Sequence, residues 1–91
     1  MKPTILFVDD EDIILQGLKN QLKPVLFESC NLEFTTKVDE AMEILEECDM
    51  LDIPSIVFSD WIMPGTDAAM FLKEIHYNFP KSKKIVLTGQ A

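Results

Sequence analysis

The sequence predicts an α/β fold built around a parallel sheet, and three observations carry that expectation. Two short apolar runs, Thr4 to Val8 and Ser55 to Ser59, lack polar alternation, as strands buried on both faces do. Between the β-rich runs lie stretches with apolar residues at helical spacing. The resulting order of strand, helix, strand, helix, strand, helix, strand is the alternation that right-handed βαβ crossovers turn into a parallel sheet.

Thr4 to Val8 is the first predicted strand, rich in residues that suit a pleated, buried surface. Asp12 to Lys23 follows as a helix with Ile14, Leu15, Leu18 and Leu22 on one stripe; Asp12 suits the N-cap, and Pro24 marks the expected end. The segment Pro24 to Asn31 has apolar content without a period and reads as a long connection or an added helical turn. Leu32 to Thr36 is a weaker second strand. Asp39 is the expected N-cap of a second helix that turns Met42, Ile44 and Leu45 inward and Glu43, Glu46 and Glu47 outward. After the third strand, Ser55 to Ser59, Thr66 or Asp67 caps a third helix carrying Met70, Phe71, Leu72 and Ile75, which fades near Pro80. Ile85 to Leu87 is the fourth strand. No internal repeat, low-complexity tract or linker interrupts the series.

Ninety-one residues make a single domain, 1–91, and a chain of this size buries only about 60 to 65% of its unfolded surface. With 47% hydrophobic and 26% charged residues the composition is that of a globular protein. No apolar run approaches the ~18 residues a membrane helix needs, and the start, MKPTILFVDD, is too short and too acidic for a signal peptide, so a cytoplasmic location is expected. The net charge of −8 disfavours nucleic acid and anionic lipid as partners of this segment. Cys30 and Cys48 lack CxxC spacing and read as reduced, partly buried small hydrophobes. His76 is the only histidine, which leaves little support for a zinc site, and it is expected to be solvated near a helix end.

Chemistry concentrates at the carboxyl ends of the strands, where an open parallel sheet binds its ligands. Asp9 and Asp10 close the first strand, and Asp60 closes the third. If those strands are neighbours, three carboxylates share one crevice, and two such charges ~6 Å apart repel by roughly 3 kcal/mol at an effective dielectric of 20. A divalent cation is the simplest counter-charge, and oxygen-only ligands favour Mg2+. Asp60, ionised at neutral pH, needs no general base to act as a nucleophile toward a phosphoryl group. Met63, Pro64 and Gly65 then turn the chain sharply out of the strand. A lone aspartate at a strand end more often caps a helix or starts a turn, and that role suits Glu11 and Asp12; the pair plus a third acid is more specific.

With those residues in view, the sequence resembles a two-component response-regulator receiver domain. FVDDE is similar to that family's acidic pair, VFSDWIMPG to its phosphoacceptor strand and loop, and IVLTGQA to its fourth strand with a switch hydroxyl, in the family's order and spacing from residue 4 to the last. The resemblance implies a flavodoxin-like sheet of strand order 2-1-3-4, without the fifth strand and fifth helix of the family's 2-1-3-4-5 sheet. It implies Asp60 as both the phosphorylated residue and a Mg2+ ligand, Asp10 as a direct Mg2+ ligand and Asp9 as a ligand mainly through water. The backbone carbonyl of Ile62 would be a further ligand, and Thr88 the hydroxyl that bonds the phosphoryl group. The donor would be a histidine kinase or a histidine phosphotransfer protein, and the chain a phosphoacceptor signalling domain rather than an enzyme.

Two departures stand out. Ala68 occupies the place of a usual glycine, and the chain ends three residues after Thr88, before the family's lysine, aromatic switch residue and fifth helix. A fragment of a longer regulator is therefore expected, or a homodimer or domain swap through an uncovered sheet face and the strand-four edge. A phosphatase of the haloacid dehalogenase type would want a second acid where Ile62 stands, and a dinucleotide site would want GxGxxG after strand one. An interaction or dimerisation module that takes no phosphate is the remaining alternative. Trp61, beside Asp60, reads as a loop aromatic.

Overall fold

A computed structural model of the chain describes residues 2–60 and 68–87. Within them β1 (Thr4–Val8), α1 (Asp12–Leu26), β2 (Asn31–Thr35), α2 (Val38–Met50), β3 (Ser55–Asp60), α3 (Ala68–Asn78) and β4 (Lys83–Leu87) follow in strict alternation. All pairings are parallel, and the four strands lie in the order β2-β1-β3-β4. The step from β1 to β2 runs one way across the sheet, while those from β2 to β3 and β3 to β4 run the other. Right-handed crossovers then place α1 on one face and α2 and α3 on the opposite face.

Alternation along the strands divides the core accordingly. Leu6, Val8 and Val57 point toward α2 and α3, where they cluster with Ala41, Leu45, Phe71 and Ile75, all almost fully buried. Phe7, one residue out of phase, points to the α1 face and stacks between Phe34 and Phe58, with ring centroids 5.0 Å away on each side. That aromatic row follows from register: Phe7 is the parallel partner of both Phe34 and Phe58. Helix α1 covers this face with buried Leu15 and half-buried Leu18, Leu22 and Leu26, leaving Ile13, Ile14 and Val25 exposed; Ile85 of β4, the partner of Phe58, lies on the same face of the sheet and is also exposed.

The expected fold class and strand order hold, and several boundaries move. Pro24 lies inside α1, which continues to Leu26 because a proline near a helix end removes one N–H while Phe27 still donates to the Lys23 carbonyl at 3.0 Å. Asp12 is the first helical residue, after the N-cap Glu11, and Asp39 lies in the first turn of α2 after the N-cap Lys37. Both acids still favour the positive end of the helix dipole. Strand β4 begins two residues before the expected Ile85, since its two lysines mask the apolar signal; Lys84 Nζ folds back onto the Ser82 carbonyl at 2.7 Å. Met70 faces solvent rather than the core, whereas Ala41 and Cys48, small residues that periodicity underrates, are buried. Both cysteines are free, and His76 is exposed in the last turn of α3. The expected cap at Thr66 or Asp67 lies outside the described residues.

Helix α2 ends in a left-handed residue that is not glycine. Asp52 has φ 56°, its N–H donates to the Asp49 carbonyl at 3.2 Å, and the following Ile53 N–H donates to the Cys48 carbonyl at 2.8 Å. This paired closure of the last carbonyls is the arrangement in which glycine is preferred. A carboxylate here also meets the negative end of the helix dipole. Asp52→Gly is expected to stabilise the protein by about 0.5–1 kcal/mol, the relief of strain being partly offset by a more flexible unfolded chain. A higher urea midpoint at unchanged slope is the measurement that checks it.

Candidate metal and phosphoacceptor site

Register builds the site. The last partners on β1 and β3 are Val8 and Ser59, so the next residues of the two adjacent strands, Asp9 and Asp60, emerge side by side at the carboxyl rim. This rim is where the crossover direction reverses between β1 and β3, the place at which open α/β sheets leave a crevice. Asp10 extends the pair from the β1 side. One carboxylate oxygen from each of Asp9, Asp10 and Asp60 lies within 4.8 Å of the others. Asp9 and Asp60 are half-buried, and Asp10 is exposed.

Hydrogen bonds fix the β1 side of this cluster. The Asp9 N–H donates to the Thr35 carbonyl at 3.2 Å, one more rung of the ladder to β2, and the Asp9 Oδ1 accepts from the Glu11 N–H at 2.9 Å, where α1 begins. On β3, fully buried Ser59 donates its hydroxyl to the Asp60 carbonyl at 3.1 Å. The carboxylates are thus held by backbone that cannot relax away from its neighbours. Near-neighbour acids at this spacing repel by about 1 to 3 kcal/mol per pair, depending on how far water screens them.

The carboxyl of Asp9 registers this crowding. Burial pushes its pKa above the ordinary carboxylate value; the Glu11 N–H opposes the shift, while the charge of Asp60, a hydrogen bond with Asp10 and the charge of Asp10 add to it. The donor set fits a small hard cation. All three side chains offer oxygen, and two oxygens sharing an octahedral Mg2+ sit roughly 3 to 4 Å apart, so a triangle bounded by 4.8 Å closes on such an ion with small side-chain rotations.

Of the residues singled out in the sequence, the structure brings Asp9, Asp10 and Asp60 together. Ile62 and Thr88 lie outside the described residues, as does Trp61. Sequence reasoning missed Thr35, which holds the Asp9 backbone; its signal was only a threonine closing a weak strand.

Residues 5–91 match the response regulator receiver domain family. The chain belongs to that family. Solved receivers agree with the whole of the described fold. The signal receiver domain of an HD domain-containing protein from Pseudomonas fluorescens Pf-5 is 30% identical, with a TM-score of 0.80 over 99% of this chain and 66% of that one. A response regulator receiver domain protein from Clostridium thermocellum is 29% identical, with a TM-score of 0.76 over 98% and 67%. The beryllofluoride-activated NtrC4 receiver domain dimer is 30% identical, with a TM-score of 0.71 over 97% and 67%. The chain therefore spans about two thirds of the length of these receivers.

In this receiver the raised pKa of Asp9 has a defined sign. Its carboxyl holds a proton to higher pH in the folded than in the unfolded chain, so it contributes a cost to folding that is absent below the unfolded carboxylate range and grows as pH rises through the folded value. Asp60→Asn removes the largest charge that raises it. The variant is expected to be more stable than the parent by about 1 kcal/mol at pH 7 without divalent cations, with the gain vanishing below about pH 4. Urea unfolding at the two pH values reads the difference.

Proposed function

We propose that this receiver accepts a phosphoryl group on Asp60 from a histidine kinase or histidine phosphotransfer protein, with Mg2+ bound at the acidic rim. The observation that carries the reading is the gathering of the Asp9, Asp10 and Asp60 carboxylates at the ends of adjacent strands. Asp10 would bind the ion directly and Asp9 through water, joined by the Ile62 carbonyl, with Thr88 bonding the transferred phosphoryl group. When bound, the ion neutralises the crowded acids and the phosphoryl oxygens.

The chain's own part is nucleophilic. An Asp60 carboxylate oxygen bonds to phosphorus as the donor's phosphorus–nitrogen bond breaks, giving an acyl phosphate on Asp60 and returning a neutral imidazole once the departing nitrogen is protonated. A phosphate approaching these three acids without a cation is repelled, so the phosphoryl group would reach Asp60 only with the rim's charge neutralised. The chain acts as a phosphoacceptor rather than as an enzyme on other substrates, and it acts in the cytoplasm. No helix among the described residues is long and apolar enough to cross a membrane. Association of two copies fits the same reading, supported by the exposed apolar residues Ile13, Ile14 and Ile85 and by the dimer that the similar NtrC4 receiver forms.

Trp61 adjoins Asp60 in sequence and is the only tryptophan, so it reports on the site. Millimolar Mg2+ is expected to change its emission, and Asp60→Asn to weaken the response about tenfold or more, as loss of a ligand does. Acetyl phosphate with Mg2+ is expected to add one phosphoryl group, read as a mass increase that Asp60→Asn abolishes. An emission insensitive to Mg2+ together with an unmodified mass would sink the reading.

A further inference from the structure

The β2–α2 corner contains a polar arrangement that neither the ladder nor the core requires. Thr35, the last residue of β2, is only 5% exposed, and its hydroxyl donates to Glu40 Oε2 at 2.6 Å. The same hydroxyl oxygen accepts the Lys37 N–H at 3.1 Å, at the N-cap of α2. A hydroxyl has one proton and two lone pairs, so both bonds form together and lock its rotamer. Glu40, in the first turn of α2, holds the proton's other end from the surface.

Through its backbone, Thr35 reaches the acidic rim. Its carbonyl accepts the Asp9 N–H at 3.2 Å, and the Asp9 Oδ1 accepts the Glu11 N–H at 2.9 Å. A continuous hydrogen-bonded chain therefore runs from the first turn of α2, through Thr35 and Asp9, to the start of α1. Asp9 is its midpoint. Fixing the Thr35 side chain fixes the peptide that receives the Asp9 amide, and so the direction in which the Asp9 carboxylate leaves the strand.

We infer that Thr35 and Glu40 are positioning residues for the acidic rim: their hydrogen bond sets the placement of Asp9 and thereby the affinity of the rim for a divalent cation. This rests on the reading of the rim as a Mg2+ site. Neither residue touches the cation in this account. The bond is charge-assisted and its donor is buried, which makes it one of the firmer contacts near the rim. Groups one shell from a metal ligand tune affinity by about 10- to 100-fold, and one acting through a further residue is expected to fall below that, at about threefold to tenfold.

Four variants of the 91-residue chain and one control variant test this, each read by Mg2+ titration of tryptophan emission and by exchange of the Asp9 amide proton in Mg2+-free protein. Glu40→Ala and Thr35→Val remove the bond and are expected to speed Asp9 exchange and to weaken Mg2+ binding about threefold to tenfold. Glu40→Gln and Thr35→Ser keep an acceptor and a hydroxyl and are expected to restore both readouts to the parent's. Ser82→Ala, at the opposite rim of the sheet where a buried hydroxyl accepts from the Ser55 hydroxyl at 2.9 Å, controls for a general loss of stability and is expected to leave Mg2+ affinity unchanged. An Asp9 amide that exchanges at the parent's rate in Glu40→Ala overturns the inference, as does a Ser82→Ala affinity loss equal to that of Glu40→Ala. If the parent protein itself ignores Mg2+, the metal reading fails, and the inference that sets cation affinity falls with it.

Discussion

Like-charge crowding at one rim of the sheet is the constraint around which this receiver is organised. Parallel pairing of β1 with β3 in the register Val8 to Ser59 forces Asp9 and Asp60 into proximity, and nothing in either strand can separate them without unpairing buried backbone groups. The fold therefore keeps an arrangement that costs it stability. Such a cost is characteristic of sites where function and stability make opposite demands. The carboxyl of Asp9 carries this cost, its ionisation being disfavoured first by burial and then by its acidic neighbours.

What opposes that repulsion is the packing beneath the rim. The cluster formed by Leu6, Val8, Val57, Ala41, Leu45, Phe71 and Ile75 lies directly under the ends of β1 and β3 and draws on α2 and α3 together. On the other face, the Phe34–Phe7–Phe58 stack ties three strands across the sheet. Side chains alternate along each strand, so the residues that make these two layers are the same ones that fix the register. A slip of one residue would exchange Phe7 with Leu6 or Val8 and move Asp60 away from Asp9. Core packing and site geometry are thus one requirement.

The sheet order carries the rest. Because the crossovers reverse direction between β1 and β3, α1 and α2 begin on opposite faces from the same rim. The loops after β1 and β2 meet there, and Thr35 joins them through the Asp9 amide. The acidic rim is held from both helical layers, which no single element could do.

Much of this was legible in residues 4 to 60. The apolar runs of β1 and β3, the helical stripes and the DD and D at the strand ends determined the fold class, the element order and the three carboxylates, because burial imposes a period and strand ends impose a place. The boundaries were less so. Pro24 reads as a stop but is harmless one turn from a helix end, the Lys83–Lys84 pair hides the start of β4, and Asp52 gives no sequence sign of its left-handed backbone. Only the tertiary structure decided that Thr35 and Glu40 belong with the acids. Thr35 reaches Asp9 because β2 lies beside β1, and contacts set by strand adjacency leave no trace in local spacing.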